Sequence, residues 1–491
     1  MQAIGISTTS NSDRDQYALV MRLLLMLAVA LTVVSCRWTL PPNDNAGPAD
    51  FNVTTIDTQE GTAFIAVGEL AGNKRHQEIL NTVFKFKPDP AFGSIPDGGE
   101  VTLYQWKRGV WVGTTVVSAD ENVRNPNRPT IADVDGDGRN DFIQPAGWFL
   151  NSALDDNTGS ITWWRNNGNG TFSRNDVILE AGGAYEGVVF VDLDKDGIKD
   201  IVSTFQDFGN PFVFPATPPT VFTHFFKGIA PGQFTGPITL CECGGPLPVV
   251  FDVNGDRKLD IVTAQYLGVA TIANPEAGLS DESFIWLENT ASRREPLSTE
   301  TFTKHVIARG LGESVQILPV DNIDGDLMYG GIGVNQVNQT VDPAAAPPQV
   351  VRLTPGRDIR AEWNVEVLKD DFTVESTSFG STSPGPAAEG DLDGDGDIDI
   401  VVPGSADKSI YWLERKGDGS WFSRDIALEY DTAGRDWGLA GVAVADLDYD
   451  GRNEIVFSAF FESSINVVER VPGTGGNYPA LPRVPDKRLP Y

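Results

Sequence analysis

Short apolar runs recur along the whole chain, and each is far shorter than a helix. β-Branched and aromatic residues make up these runs, the clearest of which are residues 142–143, 201–202, 261–262, 400–402 and 455–456. Short apolar runs bounded by glycine, asparagine and aspartate are typical of buried strands. Strong helical periodicity is hard to find. The pattern therefore predicts an all-β protein built from many short strands and turns.

An acidic loop precedes each of these runs. Oxygen-bearing side chains stand at loop positions one, three, five and nine: Asp133, Asp135, Asp137 and Asp141; Asp192, Asp194, Asp196 and Asp200; Asp252, Asn254, Asp256 and Asp260; Asp391, Asp393, Asp395 and Asp399; Asp446, Asp448, Asp450 and Glu454. Alternate side chains of a tight loop converge on one point, and a backbone carbonyl at position seven adds a further oxygen, which suits calcium. Position seven is Arg139, Ile198, Lys258, Asp397 and Arg452 in turn. The sequence thus predicts five calcium sites.

These loops lie between strands and are not EF-hands. An EF-hand starts with the same three acids but needs a glutamate at position twelve and a helix after it. In the loop that starts at Asp391, position twelve is Val402, inside a strand-like run. Two degraded copies near Glu69 and Asp324 lack the full set of acids, and we expect little or no metal there. With both copies counted, seven units recur at about 55 to 70 residues, a spacing typical of propeller blades with loop insertions.

Each unit predicts one blade of four antiparallel strands, in which strand A enters the acidic loop, strand B leaves it, and strands C and D follow. Strand C is clearest at residues 161–164, 284–287 and 410–413, and strand D opens on an aromatic residue. The last strand C, residues 465–468, has no strand D after it. Residues 51–56 have the strand D pattern, so we expect them to complete the last blade. The predicted fold is a seven-bladed β-propeller over residues 51–470.

The repeated Asp-x-Asp-x-Asp-Gly-x-x-Asp loop followed by Ile-Val resembles the FG-GAP and VCBS repeats, the calcium-binding units of integrin α-subunit propellers and of many bacterial surface proteins. The resemblance covers roughly residues 51–470 and implies a calcium-stabilised propeller. It says almost nothing about activity. The chain departs from the pattern at Arg257, which replaces the turn glycine, and at Glu454, which replaces the final aspartate.

Charge and the N-terminal segment limit the possible partners and the cellular location of the protein. The formal net charge is −31, much of it in the acidic loops, and this argues against a nucleic-acid partner. Met21 and Arg22 precede an apolar run that ends in Ser35 and Cys36, which reads as an export signal over residues 1–36, with a true start possible at Met21. The segment resembles a bacterial lipoprotein signal with Cys36 as the lipidated residue. A cleaved signal and an uncleaved anchor remain the alternatives.

We expect residues 37–50 to be a linker and residues 471–491 a Pro- and Gly-rich tail, so that a monomeric propeller is held at an outer membrane or cell surface. The connections between strands B and C are long, and they leave the face opposite the acidic loops. Together with the D–A connections they form the expected ligand surface for a glycan or a protein. Its candidate residues are Trp148, Phe149, Tyr185, Tyr266, Glu313, Arg435 and Trp437. The recurring Trp163, Trp286 and Trp412 are instead expected to pack blade against blade.

An enzymatic role is the alternative hypothesis. The Trp-Leu-Glu-Asn and Phe-x-x-His-Val-Ile segments at residues 286–289 and 302–307 resemble propeller repeats of sugar lyases and aldos-2-ulose dehydratases. The sequence shows no nucleophile motif, zinc signature or phosphate loop, so no catalytic residue is assigned. Cys241 and Cys243 form a Cys-Glu-Cys motif. A strained disulfide is favoured slightly over two free thiols, and a metal pair is the least favoured reading.

Overall fold

The structure is a computed structural model. It describes residues 51–72, 75–89, 93–147, 159–207, 220–265, 281–311, 314–320, 328–333, 348–372, 384–404, 409–427, 439–460 and 463–470. The proposed signal, linker and tail lie outside the described residues. Two single-turn 3₁₀ helices, Ala119–Glu121 and Thr299–Thr301, are the helical elements among the described residues, and no described helix has the length and apolar character needed to cross a membrane.

The described strands form seven antiparallel sheets of four strands, and six of these sheets are built from consecutive strands. The first three are β2 (Thr62–Gly68), β3 (Glu78–Asp89), β4 (Gly93–Lys107) and β5 (Val110–Val117); β6 (Thr130–Ala132), β7 (Asp141–Ala146), β8 (Gly159–Asn166) and β9 (Phe172–Ala181); and β10 (Ala184–Val191), β11 (Asp200–Asp207), β12 (Thr220–Ala230) and β13 (Gln233–Cys241). The next three are β14 (Val249–Phe251), β15 (Asp260–Ala264), β16 (Glu282–Asn289) and β17 (Phe302–Arg309); β18 (Ser314–Val320), β19 (Met328–Gly333), β20 (Gln349–Thr354) and β21 (Asn364–Lys369); and β22 (Ala388–Gly390), β23 (Asp399–Gly404), β24 (Ser409–Arg415) and β25 (Trp421–Ala427).

The remaining sheet joins the two ends of the chain. Its order is β1-β28-β27-β26, in which β26 is Leu439–Ala445, β27 is Glu454–Ala459, β28 is Ser464–Arg470 and β1 is Phe51–Thr58. Phe51 pairs with Arg470, and the Phe51 ring meets the edge of Trp412 with ring centroids 5.9 Å apart. The N-terminal strand therefore occupies the strand D position of this sheet, and this part of the prediction is confirmed.

Each sheet packs against the next, and the last packs against the first, which makes the arrangement a propeller. The closing contact is between β26 and β2. The first strands β2, β6, β10, β14, β18, β22 and β26 all line one cavity, so strand A of every sheet lies next to the ring axis. Since all seven strands A run in the same direction along the axis, the connections from A to B leave one end of the ring.

The hydrophobic core lies between neighbouring blades. Trp286 is fully buried and packs with Ile317 and Leu353 of the next blade. Trp163 and Trp412 are also buried, in clusters that likewise extend to the following blade. The prediction that these tryptophans pack blade against blade is confirmed. A disulfide joins Cys241, at the end of β13, to Cys243, with the two Cα atoms 5.1 Å apart.

Candidate metal centres

Four clusters of carboxylates gather at the A–B end of the ring. In each cluster one oxygen from every member lies within 4.8 Å of the others. The clusters are Asp133, Asp135 and Asp141; Asp192, Asp194 and Asp200; Asp391, Asp393 and Asp399; and Asp446, Asp448 and Glu454. They unite loop positions one, three and nine in four of the five loops that the sequence singles out. The fold thus brings together side chains that the spacing predicts to converge.

The ninth-position acid begins strand B, and the four aspartates at this position are buried. Asp200 shows why: one of its carboxylate oxygens accepts the Leu193 N–H at 2.8 Å, and the other accepts the Gly228 N–H at 2.7 Å. The same pair of bonds joins the loop to strand C at Asp141, Asp260 and Asp399. This carboxylate therefore fastens the A–B loop to strand C, a structural task that the sequence pattern alone does not reveal.

Burial changes the acidity of these carboxyl groups. Desolvation raises the pKa of Asp200, Asp260 and Asp399 to about 7, although the backbone N–H bonds oppose the shift. Nearby loop carboxylates add repulsion in the same direction. Desolvation likewise raises the pKa of Glu454 to about 8. Without a metal, the protonated and ionised forms of these carboxyl groups are thus both populated near neutral pH in the folded protein.

The first-position acid shapes the turn. One oxygen of Asp192 accepts the Asp196 N–H and the other accepts the Gly197 N–H, both at 3.0 Å. Gly197 has φ +96°, a conformation that glycine adopts without strain. In the fourth-blade loop Arg257 takes this position at φ +71°, and its N–H still bonds Asp252 at 2.7 Å. The departure from glycine therefore leaves the turn intact.

The fifth-position acids accept backbone N–H groups of their own loops, and in several loops they also pair with basic side chains. Asp137 accepts the backbone N–H of Arg139 at 3.0 Å and also pairs with the Arg139 guanidinium. Strand C adds a second cation here, because Arg165 reaches both Asp135 and Asp137. In the next blade Lys227 contacts Asp194 and Asp196 in the same way.

In the acidic loops that start at Asp252 and Asp391, strand C carries a glutamate at the position where Arg165 and Lys227 stand. Glu288 of β16 accepts the side-chain N–H of Asn254 at 2.9 Å, and Arg360 and His305 also bind Glu288. Asn254 takes the third-position place, so this loop offers only neutral oxygen there and forms no carboxylate cluster among the described residues. In the loop that starts at Asp391, Glu414 of β24 sits beside Asp393 and pairs with Lys416 and Arg424.

The residues fit calcium by donor type and by arrangement. Calcium takes six to eight oxygen ligands from carboxylates, carbonyls and water, and each cluster supplies at least three convergent carboxylates at one end of a rigid hairpin. A bound calcium ion would neutralise the carboxylates and tie the first and third loop positions to strand B. Position-seven residues Arg139, Ile198, Lys258, Asp397 and Arg452 would contribute only their backbone oxygens.

The first blade contains an acid that the spacing argument missed. Glu78, the first residue of β3, is buried and accepts the backbone N–H groups of Leu70 and Ala71 at 2.8 and 3.2 Å. It therefore makes the loop-facing bonds of a ninth-position acid, displaced by one residue because this loop is longer, while its other oxygen has no hydrogen-bond partner among the described residues. The Leu-Ala-Gly segment after Glu69 supplies no further carboxylate. The other degraded copy, around Asp324, lies outside the described residues.

One predicted ligand-surface residue is not on the surface. Tyr185 is only 1% exposed, its ring packs against Phe205 and Phe226, and its hydroxyl lies 3.0 Å from His224 Nδ1. The prediction placed it at a loop end, but β10 begins at Ala184 and draws it into the core. The other candidates, Trp148, Phe149, Tyr266, Glu313, Arg435 and Trp437, lie outside the described residues.

Comparisons with known proteins agree with the repeated loops. The FG-GAP-like repeat family matches residues 150–203 and 391–457. No curated protein is recognisably similar to the chain. A solved structure of a triple arginine-to-alanine mutant of AofleA from Arthrobotrys oligospora shares 12% identity, with a TM-score of 0.39, over 78% of this chain and 91% of that one.

Two solved structures of BBS1N in complex with ARL6DN are also similar. The crystal soaked with lead shares 10% identity at a TM-score of 0.42, covering 87% of this chain and 96% of that chain. The crystal soaked with mercury shares 9% identity at a TM-score of 0.43, covering 87% and 95%. The seven sheets thus form a β-propeller, and two segments of the chain, residues 150–203 and 391–457, are similar to the FG-GAP-like repeat.

Proposed function

We propose that this protein is an exported, membrane-tethered binding propeller, closed as a seven-bladed ring and stabilised by about five calcium ions. It captures a glycan or a protein ligand at the end of the ring opposite the acidic loops. Cys36 carries the lipid anchor, residues 37–50 hold the monomeric ring away from the membrane, and the calcium ions have a structural role. The chemistry of capture then belongs to the connections that differ between blades.

The observation that supports this proposal is that the repeated acidic residues and the connections that differ between blades lie at opposite ends of strand B. In β7, Asp141 stands at the end that joins the acidic loop, while Ala146 stands at the other end. The long connection after Ala146 contains Trp148 and Phe149, and Tyr266 occupies the corresponding connection after β15. Repeated acids serve the scaffold, and unrepeated loops are where specificity usually develops.

A screen of the purified full chain against polysaccharides and surface proteins tests the proposal. We expect retention of at least one ligand in calcium. Joint replacement of Trp148, Tyr266 and Trp437 by alanine should abolish that retention and leave the calcium-dependent melting temperature unchanged. Phe422→Ala is the matched control, because this aromatic ring is 51% exposed on strand β25 and away from those connections.

Two results would contradict the binding proposal. Retention that survives the triple substitution would show that the ligand engages another face. Ultraviolet absorbance that grows with time on a uronide polysaccharide would show β-elimination, and the protein would then be a lyase.

A further inference from the structure

A cavity lies on the axis of the ring and has side chains from all seven first strands in its wall. Its volume is about 410 Å³, within the range of small-molecule sites. Most of the side chains on the wall are small or aliphatic, such as Ala66, Val188, Ala387 and Ala443. The cavity is therefore large enough for a compact organic molecule.

Two charged side chains interrupt this wall, Arg128 just before β6 and Glu389 in the middle of β22. They influence each other electrostatically, yet no ion pair within 4.0 Å joins them. One carboxylate oxygen of Glu389 is buried and has no hydrogen-bond partner among the described residues. No hydrogen bond to a described residue involves the Arg128 guanidinium either, so a donor group and an acceptor group face the cavity across a gap.

The other polar side chains on the wall are already engaged. Thr130 donates its hydroxyl to the Val188 carbonyl at 2.7 Å. The Gln316 amide donates to the Ala387 carbonyl at 3.2 Å and accepts the Ala387 N–H at 2.8 Å. Among the described lining residues, Arg128 and Glu389 are thus the polar side chains that make no hydrogen bond to another described residue.

The charges decide which ligand chemistry the cavity suits. An anion would satisfy Arg128 but would face Glu389, and a cation would do the reverse. A neutral sugar would displace water from both charges and hydrogen-bond to them without neutralising either, although a buried charge is offset best by an opposite charge. A zwitterion with an anionic and a cationic end offsets both charges at once, and an aliphatic body matches the aliphatic wall.

We propose that the axial cavity binds a small zwitterion of the α-amino-acid class with an apolar side chain, whose carboxylate meets Arg128 and whose ammonium group meets Glu389. The ligand bridges the gap between the two charged groups and leaves its side chain among the aliphatic residues of the wall. This site is distinct from the loop face proposed for glycan or protein capture. It would make the ring responsive to a small metabolite as well.

Calorimetric titration of the calcium-loaded full chain with L-leucine, 3-methylbutan-1-amine and 4-methylpentanoate tests the proposal. The amine lacks the carboxylate and the acid lacks the ammonium group, while both keep the aliphatic body. We expect leucine to bind, and each analogue to bind about ten- to a hundredfold more weakly, because each loses one charged hydrogen-bonded pair. Failure of leucine, valine and phenylalanine to bind at millimolar concentrations would overturn the proposal, and so would tighter binding of glucose.

Variants assign the two ends of the ligand. Arg128→Met should remove the preference for leucine over the amine, and Glu389→Gln should remove the preference for leucine over the acid. Glu186→Gln is the matched control, because Glu186 is another enclosed glutamate on a first strand but does not line the cavity. Leucine binding that is unchanged in both variants would overturn the assignment. If either variant fails to fold, the analogue series on the unaltered protein remains decisive.

Discussion

The ninth-position acids do two jobs, and the structural one does not require a metal. Asp200 accepts two backbone N–H groups from different elements, whereas Asp194 in the same loop pairs with the partly exposed Lys227. An asparagine at position 200 could accept only through its single oxygen and would point an N–H₂ group at a backbone N–H. Asparagine at the third position is tolerated by the fold, since Asn254 stands there naturally.

Asp200→Asn should therefore lower stability in the presence of chelator as well as in calcium, by about 1–3 kcal/mol for a buried unsatisfied donor. Asp194→Asn, the matched control, should matter mainly when calcium is present. Chemical denaturation of both variants in the two conditions measures the difference. Equal behaviour of the two variants in chelator would show that the N–H bonds of Asp200 contribute little.

At the scale of elements, ring closure depends on one strand from the N-terminal part of the chain. β1 pairs with β28 over its length, and Phe51 contacts Trp412 of a neighbouring blade. Without β1, the outer edge of β28 would be unpaired and the last blade would have only three strands.

Proline scanning of β1 tests this role, because successive N–H groups of a strand point to opposite sides. We expect one of Val53→Pro and Thr54→Pro to remove a hydrogen bond to β28 and to cost about 1–3 kcal/mol. Val53→Thr is the control, since the Val53 side chain is 41% exposed and contributes little burial. If both proline variants have the same melting temperature as the unaltered protein, the pairing of β1 with β28 does not limit stability.

Much of this element-level organisation can be predicted from sequence, for identifiable reasons. The acids at alternate positions and the apolar pairs after them predict the A–B hairpins. Because strand D usually begins with an aromatic residue, the sequence also shows that the last blade lacks this strand and that residues 51–56 can supply it. Glu78 was not predicted because one extra residue in its loop shifts it from the ninth position to the tenth. Tyr185 was misplaced because loop ends cannot be located to one residue from sequence. The placement of Arg128 and Glu389 on the wall of one cavity depends on a ring that brings distant strands together.

At the scale of the whole molecule, we expect the acidic loops to couple folding to both pH and calcium. Asp200, Asp260 and Asp399 have folded-state pKa values of about 7, above the value of about 4 for an unfolded aspartate. A raised folded-state pKa adds stability below the unfolded value, and that stability is lost as the pH rises through the folded value. Bound calcium should reverse this trend, because the ion binds only deprotonated carboxylates.

The metal-free protein should consequently melt at a higher temperature near pH 5 than near pH 8, over the window set by these pKa values. In saturating calcium the order should be reversed, with the higher melting temperature near pH 8. Scanning calorimetry at both pH values with chelator and with calcium gives all four numbers. The same pH trend in both conditions would exclude these carboxylates as the coupled groups.

Whether calcium stabilises the ring is measured by the difference in melting temperature between millimolar calcium and chelator at neutral pH. A ligand that binds only the folded state adds about 4 kcal/mol per site at a thousandfold excess over its dissociation constant. With several such sites we predict a rise of at least about ten degrees in calcium. An unchanged melting temperature in chelator and in added calcium would contradict the account.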